Sequence, residues 1–148
     1  MRKTIAAAAV LVLAGLAPSA RAGGQQVVAE ATPDGRAVVV RTYRCGTPAN
    51  LSLRGAAEGI VDGQRRTIDL EVVRGEEPGV FKVARQWPAE GRWALVFNVA
   101  GDHAASALVT LGPGPGIRIA SQKSTYERPS AERVAAALGV VGAPAAER

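Results

Sequence analysis

Between residues 37 and 111, apolar side chains recur at every second position in short runs, and glycine, proline or aspartate separates the runs. A period of two is the spacing of a half-buried strand, because successive side chains point to opposite faces of a sheet. Residues 92–100 show it best, with Trp93, Leu95, Phe97 and Val99 on one side. In residues 67–72, Ile68, Leu70 and Val72 share a face opposite Thr67, Asp69 and Glu71. Residues 37–43 are rich in valine and open after the turn Pro33-Asp34-Gly35. Residues 50–54 alternate with Leu51 and Leu53 together; Gly55 punctuates them, and Gly59 precedes the short apolar pair Ile60-Val61. Asp62-Gly63 suits a two-residue hairpin loop, since both positions tolerate positive φ. Glu76-Glu77-Pro78-Gly79 reverses the chain into residues 80–87, where Phe81 and Val83 share a face. Pro88-Ala89-Glu90-Gly91 connects to residues 92–100, and Gly101-Asp102-His103 turns into residues 104–111.

Residues 112–116 close this block with prolines at 113 and 115, and Ile117 and Ile119 alternate with Arg118 and Ala120 as a last strand. One helix is expected next. Ser130 is an N-cap residue, Ala131, Val134, Ala135 and Leu138 follow at helical spacing, and Gly139 ends the run. Residues 140–148 read as a flexible tail. Roughly seven short strands with regular turns predict an all-β fold, an antiparallel immunoglobulin-like sandwich with one short C-terminal helix. A small barrel is the alternative.

Ahead of this domain stands a segment of different character. Arg2 and Lys3 precede an uncharged apolar run from residue 5 to residue 17, then Pro18-Ser19 and the small-residue site Ala20-Arg21-Ala22. That order is the plan of a secretory signal peptide covering residues 1–22, with cleavage after Ala22 and a weaker site after Ala20. A retained anchor is the competing reading, but the run has 13 residues, whereas a bilayer span takes about 20. Export predicts a periplasmic or secreted protein with no membrane span after cleavage. Taking 22 residues from 148 leaves 126, enough for one domain with its own core, assigned to residues 23–139. Arg2, Lys3 and Arg21 leave with the signal, so the net charge of +5 falls by three to +2. The remaining basic residues are scattered, with Arg65-Arg66 the only adjacent pair. Nucleic-acid binding needs a basic stripe with groove-reading or stacking elements, so the expected partner is a protein or an envelope component.

Little in the mature chain carries chemistry. A single cysteine, Cys45, cannot form an internal disulfide in an oxidising compartment. It is either a buried thiol acting as a small hydrophobe or an exposed one that pairs with a partner. Copper sites draw on His, Cys and Met. Here His103 and Cys45 stand alone, because the one methionine is the initiator. Two ligands make a poor site, and no metal or cofactor is assigned. A nucleophile with a base and an orienting group is not recognisable either: Asp102-His103 and Ser106 are close in sequence, but no G-x-S-x-G elbow occurs. The chain is therefore expected not to be an enzyme. Glu76-Glu77 reads as a solvated turn, and prolines remove the donors that a phosphate loop at residues 112–116 would need. Trp93 shares the face of Leu95 and Phe97 and reads as core. Trp87 is evenly placed between core and an aromatic platform for a glycan or a partner. The candidates for binding or redox chemistry are Cys45, Trp87 and His103.

The block Pro78-Gly79-Val80-Phe81, with Trp87-Pro88-Ala89-Glu90-Gly91-Arg92-Trp93-Ala94-Leu95-Val96 after it, resembles the hairpin of YtkA-like domains. These are small extracytoplasmic immunoglobulin-like sandwiches related to FixH-type proteins. The shared pattern is a P-G-x-aromatic strand entry followed by a G-[RK]-W-x-L strand after a tight turn, and the resemblance covers residues 50–111. It implies the sandwich fold. The family's association with respiratory oxidases and copper handling carries over no ligand residue, because this chain lacks a His- or Met-rich segment. The expected function is a non-catalytic binding or accessory module, with copper handling and glycan binding as the alternatives.

Overall fold

The computed structural model describes residues 24–101 and 104–140. The expected signal peptide, Asp102, His103 and residues 141–148 lie outside the described residues. Among the described residues there are ten strands and one helix: β1 Gln25–Ala31, β2 Ala37–Arg44, β3 Thr47–Pro48, β4 Leu53–Val61, β5 Gln64–Leu70, β6 Val73–Arg74, β7 Val80–Ala84, β8 Arg92–Val99, β9 Ala105–Leu111, β10 Ile119–Thr125 and α1 Ala131–Ala137. All pairings are antiparallel. One sheet runs β1-β2-β7-β6 with β3 attached to β2, and the other runs β10-β9-β8-β4-β5. This is the strand order of an immunoglobulin-type sandwich, extended by β10 beyond β9. The core lies between the sheets, where Val27, Val38, Val40, Phe81 and Val83 of the first face Ala57, Leu95, Phe97 and Val109 of the second.

β8 is apolar on both faces for a reason. Trp93, Leu95, Phe97 and Val99 point into the sandwich, while Ala94 and Val96 on the outside form a second cluster with Leu108, Val134 and Leu138. The helix is thus a cap on the outer face of the β8–β9 pair. Ser130 accepts from the N–H of Arg133, and the helix closes in a Schellman motif: Gly139 donates to the Ala136 carbonyl and Val140 to that of Ala135. Gly139 has φ +68°. Val140 is therefore hydrogen-bonded into the cap.

Two departures from the sequence reading have physical causes, and a third is the length of a strand. β1 was not anticipated: its glutamines and alanines are poor strand formers, yet Val27 and Ala29 alternate inward and the strand pairs with β2 along its whole length. Its outer edge is held by side chains of β10, with Gln122 Oε1 accepting from the Ala29 N–H at 2.7 Å and Ser124 Oγ donating to the Val27 carbonyl at 3.4 Å. Next, the expected break at Gly55 does not occur, because β4 runs unbroken from Leu53 to Val61. Gly55 lies opposite Phe97 and Gly59 opposite Trp93. A Cβ at Gly59 would fall 2.3 Å from the Trp93 ring, so this glycine makes room for an aromatic on the neighbouring strand. Last, β10 continues to Thr125, well past Ile119.

The Asp62-Gly63 hairpin forms as expected: Val61 pairs with Gln64, and both loop residues have positive φ, 50° and 76°.

Candidate functional site

The loops at the two ends of the sandwich hold the candidate residues. At one end β2 turns into β3 through Cys45-Gly46. Arg44 pairs with Thr47, and the two loop residues have φ 51° and 79°, the geometry of a two-residue primed turn. Cysteine occupies a position that normally goes to asparagine, aspartate or glycine. Its thiol is exposed, so the buried alternative is not the observed one; its N–H donates to the Gly24 carbonyl at 2.9 Å.

Behind this turn lies a fully buried threonine. Thr42 Oγ1 donates to the Ala49 carbonyl at 2.6 Å, and the Thr42 N–H donates to the Gly79 carbonyl at 2.8 Å. Gly79 in turn donates to Asn50 Oδ1 at 2.8 Å. With φ +73°, and with the Thr42 carbonyl oxygen 2.5 Å from where its Cβ would stand, Gly79 has no room for a side chain. A small cleft beside Cys45 is lined by Gly24, Gln25, Gly46, Ala105, Ser106 and Tyr126, among others. Gln25 Oε1 is buried there without a partner.

At the opposite end the chain leaves β7 through Arg85-Gln86-Trp87. Gln86 clamps this segment to Glu71, accepting from its N–H at 2.8 Å and donating to its carbonyl at 3.0 Å. In an extended segment, residues 85 and 87 fall on the same side. Trp87 is only 3 % exposed and packs in the main core. The Arg85 guanidinium lies over its ring, 5.7 Å from the centroid, and donates to the Pro115 carbonyl through Nη1. Trp93 is equally buried, but its indole N–H donates to the Glu90 carbonyl at 2.9 Å. Gly91 makes the connection between them possible: it has φ +89°, and the Ile60 carbonyl oxygen lies 2.5 Å from where a Cβ would sit.

Arg85, Trp87, Gly91 and Trp93 line a cleft of about 330 Å³, closed on its other side by Leu111, Gly112, Pro113 and Gly114 and flanked by Ala89 and Arg92. Two buried nitrogen donors here lack partners, Trp87 Nε1 and Arg85 Nε. Two arginines line the cleft, and no acidic side chain is among the residues that do.

The structure therefore separates the candidates. Cys45 is displayed on a hairpin tip, Trp87 is buried at the far end, and His103 lies outside the described residues. Because Trp87 and Trp93 are both buried, neither presents an open ring face on which a sugar could stack. Arg85 and Arg92 were not singled out by sequence; the available signal was the Arg-x-Trp spacing that sets Arg85 beside Trp87. Among the described residues, no group of three or more His, Cys, Asp or Glu side chains could hold a metal ion, and no helix is long and apolar enough to cross a membrane.

Family models, curated proteins and solved structures were each compared with the chain. None of them matches.

Proposed function

We propose that this chain is an exported, periplasmic or secreted, non-catalytic binding or accessory module that receives its ligand in the Trp87–Arg85 cleft. One observation carries the reading: two buried donors, Trp87 Nε1 and Arg85 Nε, face no acceptor. A buried N–H without a partner costs about 1–3 kcal/mol, so a folded protein normally supplies one. A ligand that brings an acceptor removes that cost on binding. The sandwich framework favours the same use, since loops at the ends of such folds are held by rigid sheets. The signal-like segment at residues 1–22 supports export, and the P-G-x-aromatic and G-R-W-A-L pattern of the hairpin supports kinship with extracytoplasmic YtkA-like sandwiches.

A photo-crosslinking side chain placed at Ala89, on the cleft rim, tests this in exporting cells. It should trap a discrete envelope component that the same side chain at Arg66, exposed on β5, does not trap. Identical products from both positions, or none from either, contradict the reading. So does a measured turnover that is abolished by changing Cys45 or His103.

The exposed thiol favours a second reading, in which Cys45 serves a copper-handling role or pairs with a partner. A Cu(I) titration of the reduced protein should then show tight binding that Cys45→Ser removes. Equal binding by both forms, or none, sets this reading aside.

A further inference from the structure

We propose that the Trp87–Arg85 cleft is a carboxylate-binding site, an inference that rests on its being a ligand site at all. The chemistry of the lining is one-sided. An indole N–H is a donor only, and a guanidinium carries five donors and no acceptor. Both Trp87 Nε1 and Arg85 Nε are buried without a partner, in side chains that line the same cleft. Trp87 is more than nine-tenths buried and clamped in the core. Arg85 is half-buried and rests between the Pro115 carbonyl and the Trp87 ring.

No water-sized atom reaches either nitrogen in this arrangement, so the half-buried Arg85 side chain moves aside to admit an acceptor, and the two donors then select one of defined shape. A carboxylate presents two coplanar oxygens, which match a guanidinium edge and leave a lone pair for a neighbouring N–H. Arg92 at the rim adds a second positive charge. Glu90 is exposed and is not among the residues that line the cleft, so no side-chain anion of the cleft itself competes for these donors. The backbone at Gly112, Pro113 and Gly114 brings little side-chain bulk to the opposite wall, which suits a small acid or the carboxyl end of a peptide. Neutral hydroxyl ligands fit less well, because they also carry donors that would meet donors.

The test uses the full exported chain and follows the two indole N–H signals by NMR. Sodium propionate should shift the Trp87 signal in a saturable way and leave that of Trp93 in place, since Trp93 is already bonded to Glu90. Propionamide, with the same shape and no charge, should bind at least about tenfold more weakly. Arg85→Gln should weaken propionate at least about tenfold. If its amide spectrum shows misfolding, Arg92→Gln at the exposed rim replaces it, with a loss of about threefold. The source of the acid is read from acetyl-Ala-Ala with a free or an amidated C-terminus. Free peptide binding more tightly than propionate assigns a peptide carboxyl end, and the reverse assigns a small organic acid.

Equal binding of propionate and propionamide overturns the proposal. A Trp87 shift with N-acetylglucosamine and none with either acid overturns it as well, yet leaves a ligand-binding module standing. No shift with any probe, together with no crosslink from Ala89, removes both.

Discussion

The two ends of the sandwich solve the same problem in different ways. Each must close β-strands with loops whose backbone polar groups have no ladder partner. At the Cys45 end the closure is made with small and polar residues: Thr42, Ala49, Asn50 and Gly79 bond to one another behind the turn. What remains over is one neutral acceptor, Gln25 Oε1, in a cleft that Tyr126 also lines. At the Trp87 end the closure is made with aromatic bulk, and the remainder is two donors beside two positive charges. The difference teaches that an end cleft becomes a plausible ligand site through what its groups still require, and not through its size.

The largest expected effect breaks the Cys45 end. Gly79→Ala must add a Cβ 2.5 Å from the Thr42 carbonyl oxygen at positive φ, which should destabilise the fold by about 2–4 kcal/mol. A shift of the urea midpoint without a change in slope checks this, and an unchanged midpoint contradicts the packing described here. Gly63→Ala is the control: it also has positive φ, but nothing lies within 4 Å of its Cβ position.

A matched pair of substitutions sharpens the comparison at the Trp87 end. Trp93→Phe removes an N–H bonded to Glu90, whereas Trp87→Phe removes one that is unpartnered. Both lose similar ring area, and in an Arg85→Gln background, which removes the cation–π contact at Trp87, the difference isolates the hydrogen bond. Trp93→Phe should cost more by about 1 kcal/mol. Equal losses in thermal unfolding would mean that Trp87 has a partner after all.

Smaller again is Cys45→Asn. Asparagine suits positive φ better than cysteine does, so the variant should gain roughly 0.5 kcal/mol. A loss instead of a gain would show that the thiol contributes to the fold.

The smallest effect concerns Asp34 in the β1–β2 turn, at the Trp87 end. Its carboxylate is held below the usual range chiefly by the hydroxyl of Thr32, with the Arg36 N–H bond next. A lowered pKa in the folded state gives stability that is present above the ordinary carboxylate value and is lost as pH falls through the lowered one. Asp34→Asn should therefore unfold slightly below the unsubstituted chain at neutral pH and together with it in strong acid. Because Asp34 is fully exposed, the gap at neutral pH should be near the limit of calorimetry.

Much of the fold was legible because its signals are local. Asp62-Gly63 specifies its own turn, and the side-chain period specifies which face of β8 is buried. Ser130 and Gly139 bracket the helix. β4 was misread because the reason for Gly55 and Gly59 lies on another strand, under Phe97 and Trp93. The same holds for Gly79 and Gly91 in the hairpin motif: each is required by a backbone oxygen distant in sequence. The sequence resemblance thus rests partly on packing demands that any such sandwich would share. The cleft was less legible still. Trp87 was visible as a candidate, but whether it is core or platform depends on burial, and the unpartnered state of its N–H depends on every residue around it. Cys45 could be placed at a strand end from its flanking residues, though not on the exposed side of the turn.

The most direct test of the central claim is the chemical shift of the two indole N–H protons in the protein free of ligand. Trp93 should resonate downfield, as a hydrogen-bonded indole does, and Trp87 should lie clearly upfield of it. A Trp87 signal at the bonded position, with a magnetisation transfer that identifies a protein acceptor, would contradict the claim that this end of the sandwich holds a donor in reserve for a ligand.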